Sequence, residues 1–164
     1  MRPTLLNTIS GQENLARIEE IFRKEIPLKK DGWNFNWRKL YKTEGGKLYK
    51  ITLVNAPQKI QGVVMISFFN EEMVFMNNVE VAPGNLGKNK RYDYVAGCLI
   101  GFACLLSFQI GKGAYNGFLT FESKTELIDL YQDKYGATFA MGNKMFIEPQ
   151  AAKKLIQQYL KIEI

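Results

Sequence analysis

Apolar and polar positions alternate along this chain in two rhythms, and one stretch follows neither. Residues Gly11–Glu25 (GQENLARIEEIFRKE) place Leu15, Ile18, Ile21 and Phe22 at helical spacing. Ser10 is a candidate cap for that helix, and Pro27 stops it. Period-two runs follow. Trp37–Thr43 and Lys47–Asn55 flank Glu44-Gly45-Gly46 and read as a hairpin. Gly62–Asn70 and Met73–Ala82 read as two more strands, and the short connections make all four antiparallel. Asn77-Asn78 marks a candidate bulge in the last of them. The second half alternates: a strand over Tyr115–Glu122, a helix over Thr125–Tyr135, a strand or hairpin over Thr138–Ile147 and a helix over Ala151–Leu160. Gly136 is placed as the C-terminal stop of the first of these helices. Strands followed by a β-α-β-α-β half predict an α/β fold: a central mixed sheet flanked by helices.

The stretch without rhythm is KNKRYDYVAGCLIGFACLLSFQIGKG, Lys88–Gly113. From Tyr94 to Ile110 it carries no charge over 17 residues, short of the roughly 20 a membrane span needs. It sits between strands that need each other, so it reads as a buried crossover helix rather than a span. Gly97 and Gly101 are expected to let it approach the sheet closely. Its start exposes unpaired N–H groups and the positive end of the helix dipole, just after Lys88, Lys90 and Arg91. Strand, basic loop and helix start together predict an anion site over residues 91–97.

Composition narrows the chemistry. The chain has 22 Lys plus Arg against 16 Asp plus Glu, which favours anionic partners. It has no histidine, which removes Ser-His and Cys-His nucleophiles and the commonest metal ligand. No metal site is expected. Cys98 and Cys104, six positions apart on one helix, point to different sides and read as free buried thiols, as in a reducing cytoplasmic setting. MRPTLLNTIS lacks the apolar core of a signal peptide.

The order of these pieces resembles the GNAT superfamily of N-acetyltransferases, as a divergent branch. Arg91-Tyr92-Asp93-Tyr94-Val95-Ala96 follows the family's Q/R-x-x-G-x-G/A frame at Arg91 and Ala96, with Tyr94 where the family has glycine. KTELIDLYQDKYGA, Lys124–Ala137, is similar to the family's N-x-x-A-x-x-L-Y-x-x-x-G-F element at Leu130, Tyr131 and Gly136, with Lys124 at the Asn position and Ala137 at the aromatic one. The resemblance covers residues 60–149. It implies one GNAT-like domain over 1–164: an N-terminal helix and hairpin to residue 59, an acetyl-CoA-binding core over 60–149 and a C-terminal helix from 150.

The resemblance also implies roles. The pyrophosphate of acetyl-CoA would rest on the amides of Tyr94, Val95, Ala96 and Gly97, assisted by Arg91, with Lys124 nearby. The pantetheine arm would pair with Val79–Val81. Tyr131 would protonate the leaving thiolate, and Glu80 would act as base toward the amine. Strand alternation puts Phe75, Val79 and Val81 on one face, and Met76, Asn78 and Glu80 on the other. Trp33, Phe35 and Trp37 read as core, with an acceptor pocket as the alternative use. The expected reaction is acetyl transfer to a small amine or a protein amine. Two alternatives stay open: a GNAT fold that binds CoA or a partner without catalysis, and a basic nucleic-acid binder using Lys29, Lys30, Arg38, Lys39 and Lys42. No membrane partner is expected, and self-association stays open.

Overall fold

A computed structural model describes residues 1–164. It contains one nine-stranded sheet with four helices. The strands are β1 (Thr4–Asn7), β2 (Glu13–Glu20), β3 (Lys47–Leu53), β4 (Ala56–Phe69), β5 (Met73–Val81), β6 (Tyr92–Asp93), β7 (Leu119–Glu122), β8 (Thr138–Met141) and β9 (Lys144–Ile147). The helices are α1 (Trp37–Thr43), α2 (Val95–Ile110), α3 (Ile128–Tyr135) and α4 (Pro149–Leu155), the last running on as a π-helical segment over Ile156–Leu160. The sheet order is β6-β1-β2-β3-β4-β5-β7-β9-β8, and only the β5–β7 pair is parallel.

The N-terminal third departs from expectation. Residues 13–20 form β2, not a helix. Ala16 and Ile18 are the buried positions and Leu15 is largely exposed, which is a period of two. Over so short a run the two periods share most of their apolar positions, and pairing with β1 and β3 decides between them. Trp37–Thr43 is a helix, not the first arm of a hairpin. Its cap is Asn36, whose Oδ1 accepts the Lys39 N–H at 3.1 Å. β4 and β5 lie where expected, with β4 extended back to Ala56.

Two apolar clusters cover the two faces of the sheet. The larger joins Val64, Ile66, Val74 and Met76 to α2 and to the C-terminal helix through Leu99, Leu155 and Tyr159. The smaller gathers Trp33, Trp37, Leu48, Val63 and Met65 on the opposite face. α2 is apolar all round because β4 and β5 lie beneath it and the C-terminal helix lies on top. No helix of the chain is long and apolar enough to cross a membrane.

The glycines that allow this stacking are not quite those expected. The close approach of α2 to the sheet falls at Gly62 of β4, where an added Cβ would lie 2.6 Å from Val95 Cγ1. Gly97 and Gly101 face outward from the sheet and receive the C-terminal helix, Gly97 directly under the Tyr159 ring. Gly97→Ala is therefore expected to destabilise the protein by about 1–3 kcal/mol through overpacking, despite the better helix propensity of alanine. Chemical denaturation checks this, and a Tyr159→Leu background should relieve most of the loss.

Candidate active site

The site is organised by a fork in the sheet. β5 and β7 pair over three rungs: Val74 with Leu119, Phe75 with Thr120, and Met76 with Phe121. Beyond Met76 the edge of β5 that faces β7 has no strand partner, while its other edge stays paired with β4 through Val81. The separation starts where expected, at a bulge. Met65 pairs with Asn78 and Ile66 with Met76, leaving Asn77 as the extra residue. Its Oδ1 accepts a hydrogen bond from Ser67 Oγ at 2.7 Å.

The bulge also corrects the facing of β5. One extra residue reverses the alternation, so Met76 joins Val79 and Val81 on the α2 face. Phe75 lies on the other face, where it lines a cavity with Ser67 and Asn77. Simple alternation across Asn77 had assigned Phe75 and Met76 the opposite way. The paired residues place Asn78 and Glu80 on the same face as Met65 and Val63.

Glu80 does not line a substrate cleft. It is 7% exposed. Its Oε2 accepts the Asn34 N–H at 2.6 Å, and its Oε1 accepts the Phe35 N–H at 3.2 Å and the Trp37 indole N–H at 2.9 Å. These three donors tie the segment leading into α1 to β5. A carboxylate so engaged has little lone-pair capacity left for an amine proton, which disfavours the expected base role. Trp33 and Trp37 are core residues of the smaller cluster, with Phe35 packed edge-on to Trp37 at 5.6 Å between ring centroids.

The second part of the site is the start of α2. Tyr94 is its N-cap residue, with φ 74° and ψ 1°. That left-handed conformation costs a non-glycine residue roughly 1 kcal/mol and glycine almost nothing. The backbone thus keeps the turn that the family's frame fills with glycine, although the residue here is tyrosine. The ring leans on Tyr159, 6.3 Å between centroids, and is 36% exposed. No side chain caps the helix, and its first intrahelical bond runs from the Cys98 N–H to the Tyr94 carbonyl. The amides of Val95, Ala96 and Gly97 have no partner within the helix.

The surrounding charges are arranged differently from the expectation. Asp93 Oδ1 accepts the Tyr94 N–H at 2.8 Å, which removes that amide from the free set. Lys90 lies 3.5 Å from the same carboxylate oxygen. Arg91 lines a separate polar cleft of about 420 Å³ with Asp31, Gln61 and Asn85. The detour arises because β6 pairs with β1 at the far edge of the sheet, at Leu6–Asp93 and Asn7–Tyr92, before the chain returns to start α2. Lys124 is exposed and precedes the 3-10 turn over Thr125–Leu127.

Tyr131 stands beside the fork. Its ring lies 4.8 Å from that of Phe121, which makes the last β5–β7 rung. A row of aromatic rings, Tyr94–Tyr159–Tyr135–Tyr131–Phe121, runs from the first turn of α2 to the fork, with centroids 4.8–6.5 Å apart. Burial pushes the Tyr131 phenol above its ordinary value. The Tyr135 and Tyr159 phenols move the same way, mainly through burial. Cys98 and Cys104 are free and buried, and burial pushes the Cys98 thiol up to about 12, so neither behaves as a nucleophile. Sequence reasoning missed the tyrosine row. Its members are scattered from Tyr94 through Phe121, Tyr131 and Tyr135 to Tyr159 in the C-terminal helix, and no local period connects them.

No protein-family model matches the chain, and no curated protein matches its sequence. Solved structures do match its shape. The AtaT protein complexed with acetyl-methionyl-tRNAfMet superposes with a TM-score of 0.61 at 11% identity, over 85% of this chain and 98% of that one. The KacTA–DNA complex gives 0.61 at 11% identity, over 87% and 99%. A GNAT family acetyltransferase from Elizabethkingia anophelis with acetyl-CoA bound gives 0.51 at 17% identity, over 81% and 97%. The fork, the crossover helix and the flanking helices are thus parts of one known architecture, and this chain has the fold of the GNAT acetyltransferases.

Proposed function

We propose that the protein is an acetyl-CoA-dependent N-acyltransferase that moves the acetyl group directly to a primary amine. The observation that carries this reading is the parted β5–β7 pair, with a free β5 edge and a tyrosine beside its last rung. The fold neighbours with acetyl-CoA bound support the same donor. The residues present fit such a donor: the free edge over Val79–Val81 offers main-chain groups to an amide-bearing arm, and Val95, Ala96 and Gly97 offer unpaired amides to an anion.

Acetyl-CoA supplies the activated thioester. The chain's own groups do the rest. Main-chain donors on the free β5 edge hold the arm and stabilise negative charge on the carbonyl oxygen. The neutral amine attacks the carbonyl carbon, the new C–N bond replaces the C–S bond, and the amine proton leaves to a base or water. Tyr131 gives its phenol proton to the departing thiolate. Its raised pKa keeps that proton in place throughout the neutral range.

Calorimetry with acetyl-CoA tests the reading, followed by release of free thiol over a panel of small amines, a peptide with a free N-terminus and charged tRNA. Absence of acetyl-CoA binding overturns it. Binding without thiol release for every acceptor favours the second reading, a non-catalytic CoA-binding protein. Tyr94→Gly is expected to tighten acetyl-CoA binding by about three- to tenfold. Glycine removes the ring beside the amides; the roughly 1 kcal/mol of backbone strain it also relieves is present with or without ligand and so stabilises the fold rather than the complex.

A further inference from the structure

On the face of the sheet opposite α2 lies a cavity of about 900 Å³. It touches the fork at the Phe75–Thr120 rung and at the bulge residue Asn77. Glu122 lines it as well, one position past the last β5–β7 rung. An acyl group held at the fork from the α2 side would therefore meet this cavity from behind. We infer that the cavity receives the acceptor, and that the acceptor is a small primary amine carried on an aromatic or long aliphatic body, with its ammonium held by Glu122. The inference rests on the transferase reading for the acceptor's role, but not for the binding itself.

Three observations carry it. The volume suits a drug-sized molecule, since ligand pockets fall at roughly 300–1,000 Å³. The walls are aromatic: Phe68, Phe69, Phe75, Tyr115, Phe118 and Phe146. Phe68, Phe69 and Tyr115 keep much of their surface in solvent, a cost that an apolar ligand would remove. Finally, the charge of the walls opposes that of the chain. The protein carries +6 overall, yet the cavity is lined by two carboxylates, Glu44 and Glu122, against the single cation Lys144. Neither carboxylate takes part in an ion pair of the chain. Glu122 sits directly across from Lys144 in the β7–β9 ladder and next to the fork, so it is the carboxylate closest in register to the reacting centre. Such a wall attracts an ammonium and repels a carboxylate or phosphate.

The test uses the full chain without acetyl-CoA, titrated by ligand-observed NMR with phenethylamine, ethylamine and phenethyl alcohol. Phenethylamine is expected to bind at least about tenfold tighter than ethylamine, from the buried ring. It is expected to bind about three- to fivefold tighter than phenethyl alcohol, from its charge in a half-open site. Glu122→Gln should abolish the preference for the amine over the alcohol and leave the alcohol's affinity unchanged. Lys144→Ala should strengthen amine binding severalfold. Both residues are exposed, so neither change threatens folding. Equal affinity for all three probes, or an amine preference that survives Glu122→Gln, overturns the assignment. Because acetyl-CoA is absent from the titration, its failure to bind in the separate calorimetry would remove the transferase reading and leave this result standing.

Discussion

Tyr131→Phe is expected to lower turnover by about a hundredfold or more while leaving acetyl-CoA affinity within about twofold, as loss of a general acid does. The substitution removes only the phenolic oxygen. The ring keeps its contacts with Phe121, 4.8 Å away, and Tyr135, 5.9 Å away, so the fork and the tyrosine row survive. The pH profile separates a proton donor from a packing residue. Burial raises the Tyr131 phenol, so its loss of protonation, and the fall in turnover that follows, should come above the ordinary phenol value of about 10. In the phenylalanine variant that alkaline fall should disappear. Unchanged turnover, or the same alkaline limb in the variant, removes Tyr131 from the mechanism.

Glu80→Gln is expected to destabilise the fold by about 3 kcal/mol and to leave the rate per folded molecule nearly unchanged. Hydrogen bonds to an ionised group contribute about 1.5–3 kcal/mol each, and leaving a buried donor unsatisfied adds to the loss. Three donors depend on this carboxylate: the Asn34 and Phe35 amides and the Trp37 indole. The glutamine keeps one oxygen but turns an NH2 toward at least one of those donors. The effect should appear as a lower denaturant midpoint and as faster amide exchange through residues 33–37. A general base would behave otherwise: turnover would collapse while the unfolding midpoint barely moved.

These two residues show how far the chain can be read without coordinates. The Leu130-Tyr131 and Gly136 pattern placed Tyr131 on a helix next to the last strands, and the structure puts it beside the fork. The uncharged run predicted α2 almost to the residue, because 16 uncharged and mostly apolar positions in a row have no other stable use in a mixed sheet. Asn77-Asn78 marked the bulge. The consequence of the bulge for side-chain facing went unread, and so did the role of Glu80. The partners of Glu80 lie 43 to 46 positions away, at the entry to the Asn36-capped α1, whose residues read as a strand when only their alternation is considered.

Local chemistry by itself determined the crossover helix and the β4–β5 pair, and composition excluded histidine chemistry. These follow from composition and short-range periodicity, which neighbouring residues set together. Only the tertiary structure decided that residues 13–20 join the sheet, that Gly97 faces Tyr159 rather than the strands, that Glu80 is a structural clamp and that an aromatic cavity with excess negative charge opens behind the fork. Each of these depends on which distant surface arrives to bury a group or satisfy its hydrogen bonds, and that information is distributed over the whole chain rather than written in any window of it.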